Sequence, residues 1–260
     1  MTPLFDSHCH INTEEFDTDR AEVVARMKAE GLVGAMVIGC GETVGELDLI
    51  RKLVDANSGF LYGAWALHPE YEDVPEVSVD EIVEIDSDPR IYAVGETGLD
   101  YHWCHGDLTW QKERFRRHIE AAKILGKPLI VHAREAESDA LRILVENRAN
   151  DVGFVLHCYN GDIDTAKRCV DAGGMISVTG VLTFKNAQSL RDVVKTVPIE
   201  HLMIETDCPY MSPIPMRGKR NEPSYVKYVN QTMARIKEIS VEECANKTTE
   251  NAYKFFGLKK

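Results

Sequence analysis

The sequence has no apolar run approaching the ~20 residues of a membrane span, and its N-terminus has no basic stretch followed by an apolar segment. The first absence argues against a helical membrane protein, and the second gives no sign of a secretory leader. None of the seven cysteines (9, 40, 104, 158, 169, 208, 244) belongs to a C-x-x-C pair. An odd, scattered set argues for free thiols in a reducing compartment, so a cytoplasmic location is expected. Basic residues are in deficit, with 30 Lys and Arg against 42 Asp and Glu, a net charge of −12. That balance argues against coating nucleic acid by counterion release alone. It leaves room for capture of one phosphate by a local ion and a few arginines. No linker, repeat or low-complexity tract appears, so residues 1–260 read as one domain.

What is present is alternation. Short apolar runs at Pro3–Asp6, Gly34–Ile38, Leu61–Ala66, Ile91–Val94, Leu129–Val131, Phe154–Leu156, Met175–Val178 and Leu202–Ile204 read as strands. Amphipathic stretches lie between them at 18–30, 43–56, 78–86, 107–126, 135–149, 162–172 and 186–196, with two more at 223–238 and 240–256. In the stretch 107–126, Leu108, Gln111, Phe115, Ile119, Ala122 and Leu125 fall near one face, with only Gln111 polar among them. Asp107 is placed to cap its start, and Gly126 with Pro128 ends it. Eight strands alternating with helices over about 250 residues predict an α/β fold, a (β/α)8 TIM barrel. The continuously apolar runs fit strands buried on both faces. A doubly wound open sheet alternates in the same way, and counting strands cannot show closure.

The polar residues closing these runs carry the chemistry. "DSHCH" puts two of only nine histidines one residue apart, and in a strand His8 and His10 share a face. Two adjacent imidazoles disfavour each other's protonation unless a cation explains the pairing. A chance H-x-H at a surface terminus is the ordinary alternative. The other strand ends decide between them: "ALHPE" with His68, "VGETGLD" with Glu96, "LIVHARE" with His132, "FVLHCYN" with His157, and "LMIETDCPY" with Glu205 and Asp207. All lie at the C-terminal ends of strands, where such barrels place their active sites. Six potential ligands from five of these strands supply four imidazoles and two carboxylates. That set is too large for one tetrahedral ion and suits two divalent ions, Mg2+, Mn2+ or Zn2+, sharing a bridging carboxylate. Cys9, Cys158 and Cys208 follow ligand candidates and are expected to turn away into the core. His118 and His201 are expected to be structural, and "HWCH" at 102–105 to form a loop over the mouth.

The ordered motifs "DSHCH", "GETGLD", "VHARE", "LHCYNG", "ETDCPY" and "RGKRNEPSYV" resemble the TatD family of metal-dependent deoxyribonucleases, within the amidohydrolase-like barrels. The resemblance runs from Phe5 to the last helix. It implies that His8 and His10 hold one metal, that Glu96 bridges, that His132 and His157 hold the second, and that Asp207 binds metal and accepts the proton of the attacking water. Related barrels often carry a carbamylated lysine where "GETG" supplies glutamate. "HCYNG", Met216 and His102 depart from the commonest family patterns in loops that shape the mouth, and so bear on substrate choice.

The expected chemistry is metal-assisted hydrolysis of a phosphodiester. His68, Arg134, Lys185, Arg217 and Arg220 are candidates to hold phosphate, although exposed basic residues usually face solvent. Trp103 and Tyr210 are candidates for stacking on unpaired bases, with a packed aromatic as the ordinary role. The resemblance implies 3′-to-5′ exonuclease action on DNA ends or single strands, with no membrane and no obligate protein partner. Two alternatives stand beside it: hydrolysis of a small amide, ester or phosphoester, and a non-catalytic, metal-dependent quality-control protein.

Overall fold

A computed structural model describes residues 2–41 and 45–259. Its elements, in chain order, are β1 (Leu4–Cys9), α1 (Arg20–Ala29), β2 (Leu32–Gly39), α2 (Glu46–Ala56), β3 (Leu61–Trp65), α3 (Val79–Asp86), β4 (Ile91–Asp100), α4 (Thr109–Leu125), β5 (Leu129–Arg134) and α5 (Glu137–Glu146). They continue as β6 (Phe154–Leu156), α6 (Ile163–Asp171), β7 (Met175–Val178), α7 (Gln188–Thr196), β8 (Leu202–Ile204), α8 (Val226–Lys237) and α9 (Val241–Phe255). Neighbouring strands pair in parallel in the order β1 to β8. The ends of the sheet meet just beyond β8, where Asp207 N donates to His8 O and His10 N to Cys208 O, both at 2.9 Å. The buried Asp6 carboxylate reinforces the seam, accepting from Thr206 N at 2.9 Å and Thr206 Oγ1 at 2.5 Å. Those bonds close the sheet, and the fold is a (β/α)8 barrel rather than an open doubly wound sheet.

Several boundaries differ from the sequence reading. β1, β4 and β5 run on to Cys9, Asp100 and Arg134, beyond the Asp6, Val94 and Val131 expected to end them. Hydrogen bonding to a neighbour continues a strand after its apolar run stops. Asp107 does not cap α4; its Oδ1 accepts from Thr109 N and Oγ1 at 3.0 and 2.6 Å, one turn-residue too early, with Leu108 in the cap position. Gly126 ends α4 at φ 65°, where glycine carries no Cβ penalty. Residues 43 and 44 of the helix expected at 43–56 lie outside the described residues, as do residues 1 and 260 of the expected domain. Among the described residues, no helix is long and apolar enough to cross a membrane.

Two layers of core follow from strand alternation. Phe5, Met36, Ile38, Ala64, Ala93, Ile130, Val155 and Met203 fill the barrel interior, closed below by Phe256. Val23, Ile50, Ile82, Phe115, Leu144 and Val193 of the helices pack against outward residues such as Val37, Val94 and Val131. Strict alternation from Phe5 would turn His8 outward, and strict alternation from Ala93 would do the same to Glu96. Register irregularities between Asp6 and Cys9, and between Val94 and Thr97, reverse the parity at both places. β4 also needs two glycines around Glu96. A Cβ on Gly98 would lie 2.0 Å from His132 O, and one on Gly95 would lie 2.5 Å from Ile130 Cβ. Their absence of side chains lets β4 lie close against β5 and carries Glu96 to the barrel axis.

Candidate metal centre

Glu96 is the hub of the mouth. Its Oε2 lies 3.1 Å from His8 Nε2 and 3.7 Å from His10 Nε2. Its Oε1 lies 2.8 Å from His132 Nδ1, 2.6 Å from His157 Nε2 and 3.1 Å from His68 Nε2. One carboxylate therefore divides the imidazoles into two sets, one on each oxygen. Asp207 joins the first set, with Oδ1 3.3 Å from His10 Nε2 and 3.7 Å from His8 Nε2. Asp207 reaches that position from a backbone at φ 53°, a left-handed conformation that Asp tolerates better than most residues. All six residues proposed as ligands come together, and groups suited to a cation form at His8–His10–Asp207, His8–Glu96–His157 and His68–Glu96–His132.

The donor geometry fits divalent ions. His8 and His10 present Nε2 atoms 3.0 Å apart, so the two cannot both be protonated there. An ion about 2.1 Å from each would subtend roughly a right angle, a normal coordination angle. His10 Nδ1 donates to Ile38 O at 3.2 Å, which leaves its Nε2 lone pair facing the centre. His132 Nε2 lies 2.8 Å from Asp100 Oδ2, the carboxylate–histidine arrangement that orients metal ligands. His157 Nδ1 faces Glu205 Oε1 at 3.4 Å. Imidazole with carboxylate suits ions from Mg2+ and Mn2+ to Zn2+.

Electrostatics mark the same cluster. Burial drives the Glu96 carboxyl up, but His157, His68, His8 and His132 outweigh it and hold Glu96 well below the usual range. Burial opposes charge on His132 too, yet its bonds to Asp100 and Glu96 raise it to about 9. His8 is lowered, chiefly by burial and by the stacked His157 ring 4.0 Å away. Opposed shifts on groups in contact are what a site built for charge produces.

The second group of candidates fares differently. His68 is buried inside the centre rather than standing on the rim. Arg134 is exposed at the mouth, its guanidinium carbon 5.3 Å from the Trp103 ring centroid. Arg220 is corrected: it donates to Asp19 at 2.9 and 2.7 Å and to Glu15 O at 2.5 Å, and so ties the loop after β8 to the segment before α1. Lys185 and Arg217 are exposed around Phe184, with Arg217 stacked 4.2 Å from that ring. The packed role expected of Trp103 and Tyr210 is also corrected, since they are 60% and 59% exposed. Both stand beside the centre: Trp103 N donates to Asp100 Oδ1 at 2.6 Å and Tyr210 N to Asp207 O at 3.1 Å.

His118 is structural, accepting from Leu67 N at 3.2 Å and donating to Arg114 O at 2.9 Å; His201 Nδ1 donates to Gly174 O at 2.9 Å. Cys9 and Cys208 lie in the core as expected, while Cys158 is partly exposed with Sγ toward Thr179 and Met211. The sequence reading missed Asp100, Glu70 and Cys40, all grouped with the ligands. It noted Glu205 without a role, yet this carboxylate is fully buried and accepts from Cys158 N at 2.7 Å and Ser177 Oγ at 2.5 Å. The available signal was parity, since residues 205 and 207 share a face in extended chain.

Comparison with known proteins identifies the family. The family described as TatD related DNase matches residues 5–257. The chain belongs to the TatD family. A Bacillus subtilis (strain 168) relative named "Uncharacterized metal-dependent hydrolase YabD" is 42% identical over 256 residues, covering 98% of this chain and 99% of that one. The Escherichia coli K12 relative YcfH, named as the same kind of hydrolase, is 36% identical over 258 residues, covering 98% and 96%. The crystal structure of the TatD homologue YjjV from Escherichia coli K12 superposes with a TM-score of 0.88 at 26% identity, covering 98% of both chains. The chain is thus a metal-dependent hydrolase of the TatD family.

Proposed function

We propose that this TatD-family chain is a 3′-to-5′ exodeoxyribonuclease that hydrolyses single strands with two divalent ions, which His8, His10, Glu96, His132, His157 and Asp207 would hold. The observation that carries the reading is the division of the imidazoles by that one carboxylate, His8 and His10 on Oε2 and His132 and His157 on Oε1. Bound ions would supply a water of lowered pKa and positive charge for the phosphoryl oxygens. Asp207, whose carboxyl is held down by His10 and His8 against the effect of burial, takes the proton of the attacking water. The water oxygen bonds to phosphorus, the bond from phosphorus to O3′ of the penultimate nucleotide breaks, and that oxygen takes a proton from solvent.

Substrate choice is read from the rim. Trp103 and Tyr210 offer exposed faces to unpaired bases on two sides of the centre. Arg134 beside Trp103 carries a charge suited to bidentate phosphate contact. The net charge of −12 favours a mouth that admits a strand end over a groove that grips duplex. The seven free thiols support a reducing compartment, the cytoplasm, as the setting of the reaction. The test compares kcat/KM for a single-stranded oligonucleotide with that for small amide, ester and lactone substrates under the same added ion. Higher kcat/KM for the oligonucleotide supports the proposal; a preference for a small ester or amide overturns it.

A further inference from the structure

A groove of about 580 Å³ lies beside the mouth, between the segment after β7, residues 214–215 after β8, and the outer side of α8. Its walls include Phe184, Lys185, Arg191, Tyr228 and Arg235, and no described carboxylate lines it. Arg217 stacks on Phe184 at its edge. This concentration is unusual in an acidic chain whose arginines are mostly neutralised in place: Arg20, Arg26, Arg51, Arg90, Arg142 and Arg220 all pair with carboxylates. Among the described residues, Arg217 and Arg235 form no ion pair with a carboxylate, a state shared outside the groove by Arg116, Arg134 and Arg168. Arg191 spends its N–H groups on Phe184 O and Lys185 O, at 2.7 and 3.1 Å, which fixes the wall while leaving its charge uncompensated.

Cations without carboxylate partners beside aromatic rings are the elements by which proteins hold single-stranded nucleic acid without reading its sequence. We propose that this groove binds the part of a DNA single strand lying 5′ of the bond in the centre, its phosphates on Arg235 and Lys185 and its bases against Phe184 and Tyr228. The inference rests on the single-strand reading of the centre above. The placement supports the path. Phe184 and Lys185 follow β7, and residues 214–215 continue the segment that carries Asp207 and Tyr210, so the groove opens at the same end of the barrel as the centre. From Tyr228 to Arg235 the wall extends two turns, about 10 Å, down α8.

The test is fluorescence anisotropy with labelled phosphorothioate strands, which keep the phosphate charge and resist cleavage, over a range of salt. A long strand spans mouth and groove, whereas a tetranucleotide occupies the mouth. For Arg235→Glu, affinity for the long strand is expected to fall at least about fivefold relative to the tetranucleotide, with the salt slope reduced by about one. Arg235→Gln should give a smaller loss in the same direction, and circular dichroism melts of both variants confirm that α8 is intact. Unchanged relative affinity and salt slope in both variants overturn the proposal. If wild type cleaves DNA while the variants bind like wild type, the groove proposal falls and the nuclease reading stands. If the variants lose the long strand while wild type cleaves no DNA, the groove proposal stands and the nuclease reading falls.

Discussion

Replacing Glu205 by Gln removes a buried charge with little change in shape. Glu205 Oε1 accepts from Cys158 N at 2.7 Å and faces His157 Nδ1 at 3.4 Å, while Oε2 accepts from Ser177 Oγ at 2.5 Å and Ser7 Oγ at 3.4 Å. A glutamine can keep its oxygen on Cys158 N and turn its NH2 toward the two serines, whose hydroxyls rotate to accept. The fold then loses only the charge-assisted part of these bonds, about 1 kcal/mol. The larger effect falls on His157, which loses the carboxylate behind its ring. Removing such a partner typically lowers metal affinity 10–100-fold, or about 1.4–2.7 kcal/mol. Metal affinity is measured by competition with a chromophoric chelator, and fold stability by urea melts of the metal-free protein. A variant with wild-type metal affinity, or one whose fold loses more than its metal binding, would refute the positioning argument. Glu205→Leu should be far worse for the fold, because it strands Cys158 N and the Ser177 hydroxyl in the interior, while Ser7 keeps its bond to Ile204 O.

Burial lowers the His118 pKa from 6.5 to about 4, so between those values the unfolded chain binds a proton that the folded chain refuses. Its contribution is complete above the unfolded value and falls by up to about 3 kcal/mol as pH drops toward 4; urea melts should show the gap between wild type and His118→Gln narrowing over that range. Asp86, at the end of α3, is buried with neither carboxylate oxygen hydrogen-bonded. Burial raises its pKa well above 3.8, with Lys127 opposing. The proton it binds in the folded state stabilises the fold at low pH, and that contribution is lost as pH rises through the raised value. Asp86→Asn should therefore stabilise the fold by about 1–3 kcal/mol at pH 8 and little at pH 4, again by urea melts.

The barrel was legible because strands buried on both faces read as bare apolar runs, and eight of them alternated with helices. The ligands were legible because a histidine or carboxylate closing such a run has few ordinary reasons to recur strand after strand. What stayed hidden depended on register and on partners distant in sequence. Alternation alone would have turned His8 and Glu96 outward, and only the irregular pairing of β1 and β4 brings them in. Asp100 and Glu205 act through histidines 32 and 48 positions away in the chain, beyond the reach of any local pattern. Arg220 looked free because its partner Asp19 lies some two hundred residues earlier, across the seam between the first and last units. Trp103 and Tyr210 are exposed where an aromatic ordinarily packs, which composition cannot reveal.

The central proposal is that the residues around Glu96 hydrolyse DNA from its 3′ end. The most direct test incubates a 5′-end-labelled single strand with metal-stripped protein resupplied with Mn2+ or Mg2+, beside an Asp207→Asn variant purified in the same way. The account predicts a ladder that shortens from the 3′ end only when the ion is present, with the rate at least about a hundredfold lower in the variant. No cleavage by wild-type protein shown to hold metal, or equal cleavage by the variant, would contradict it.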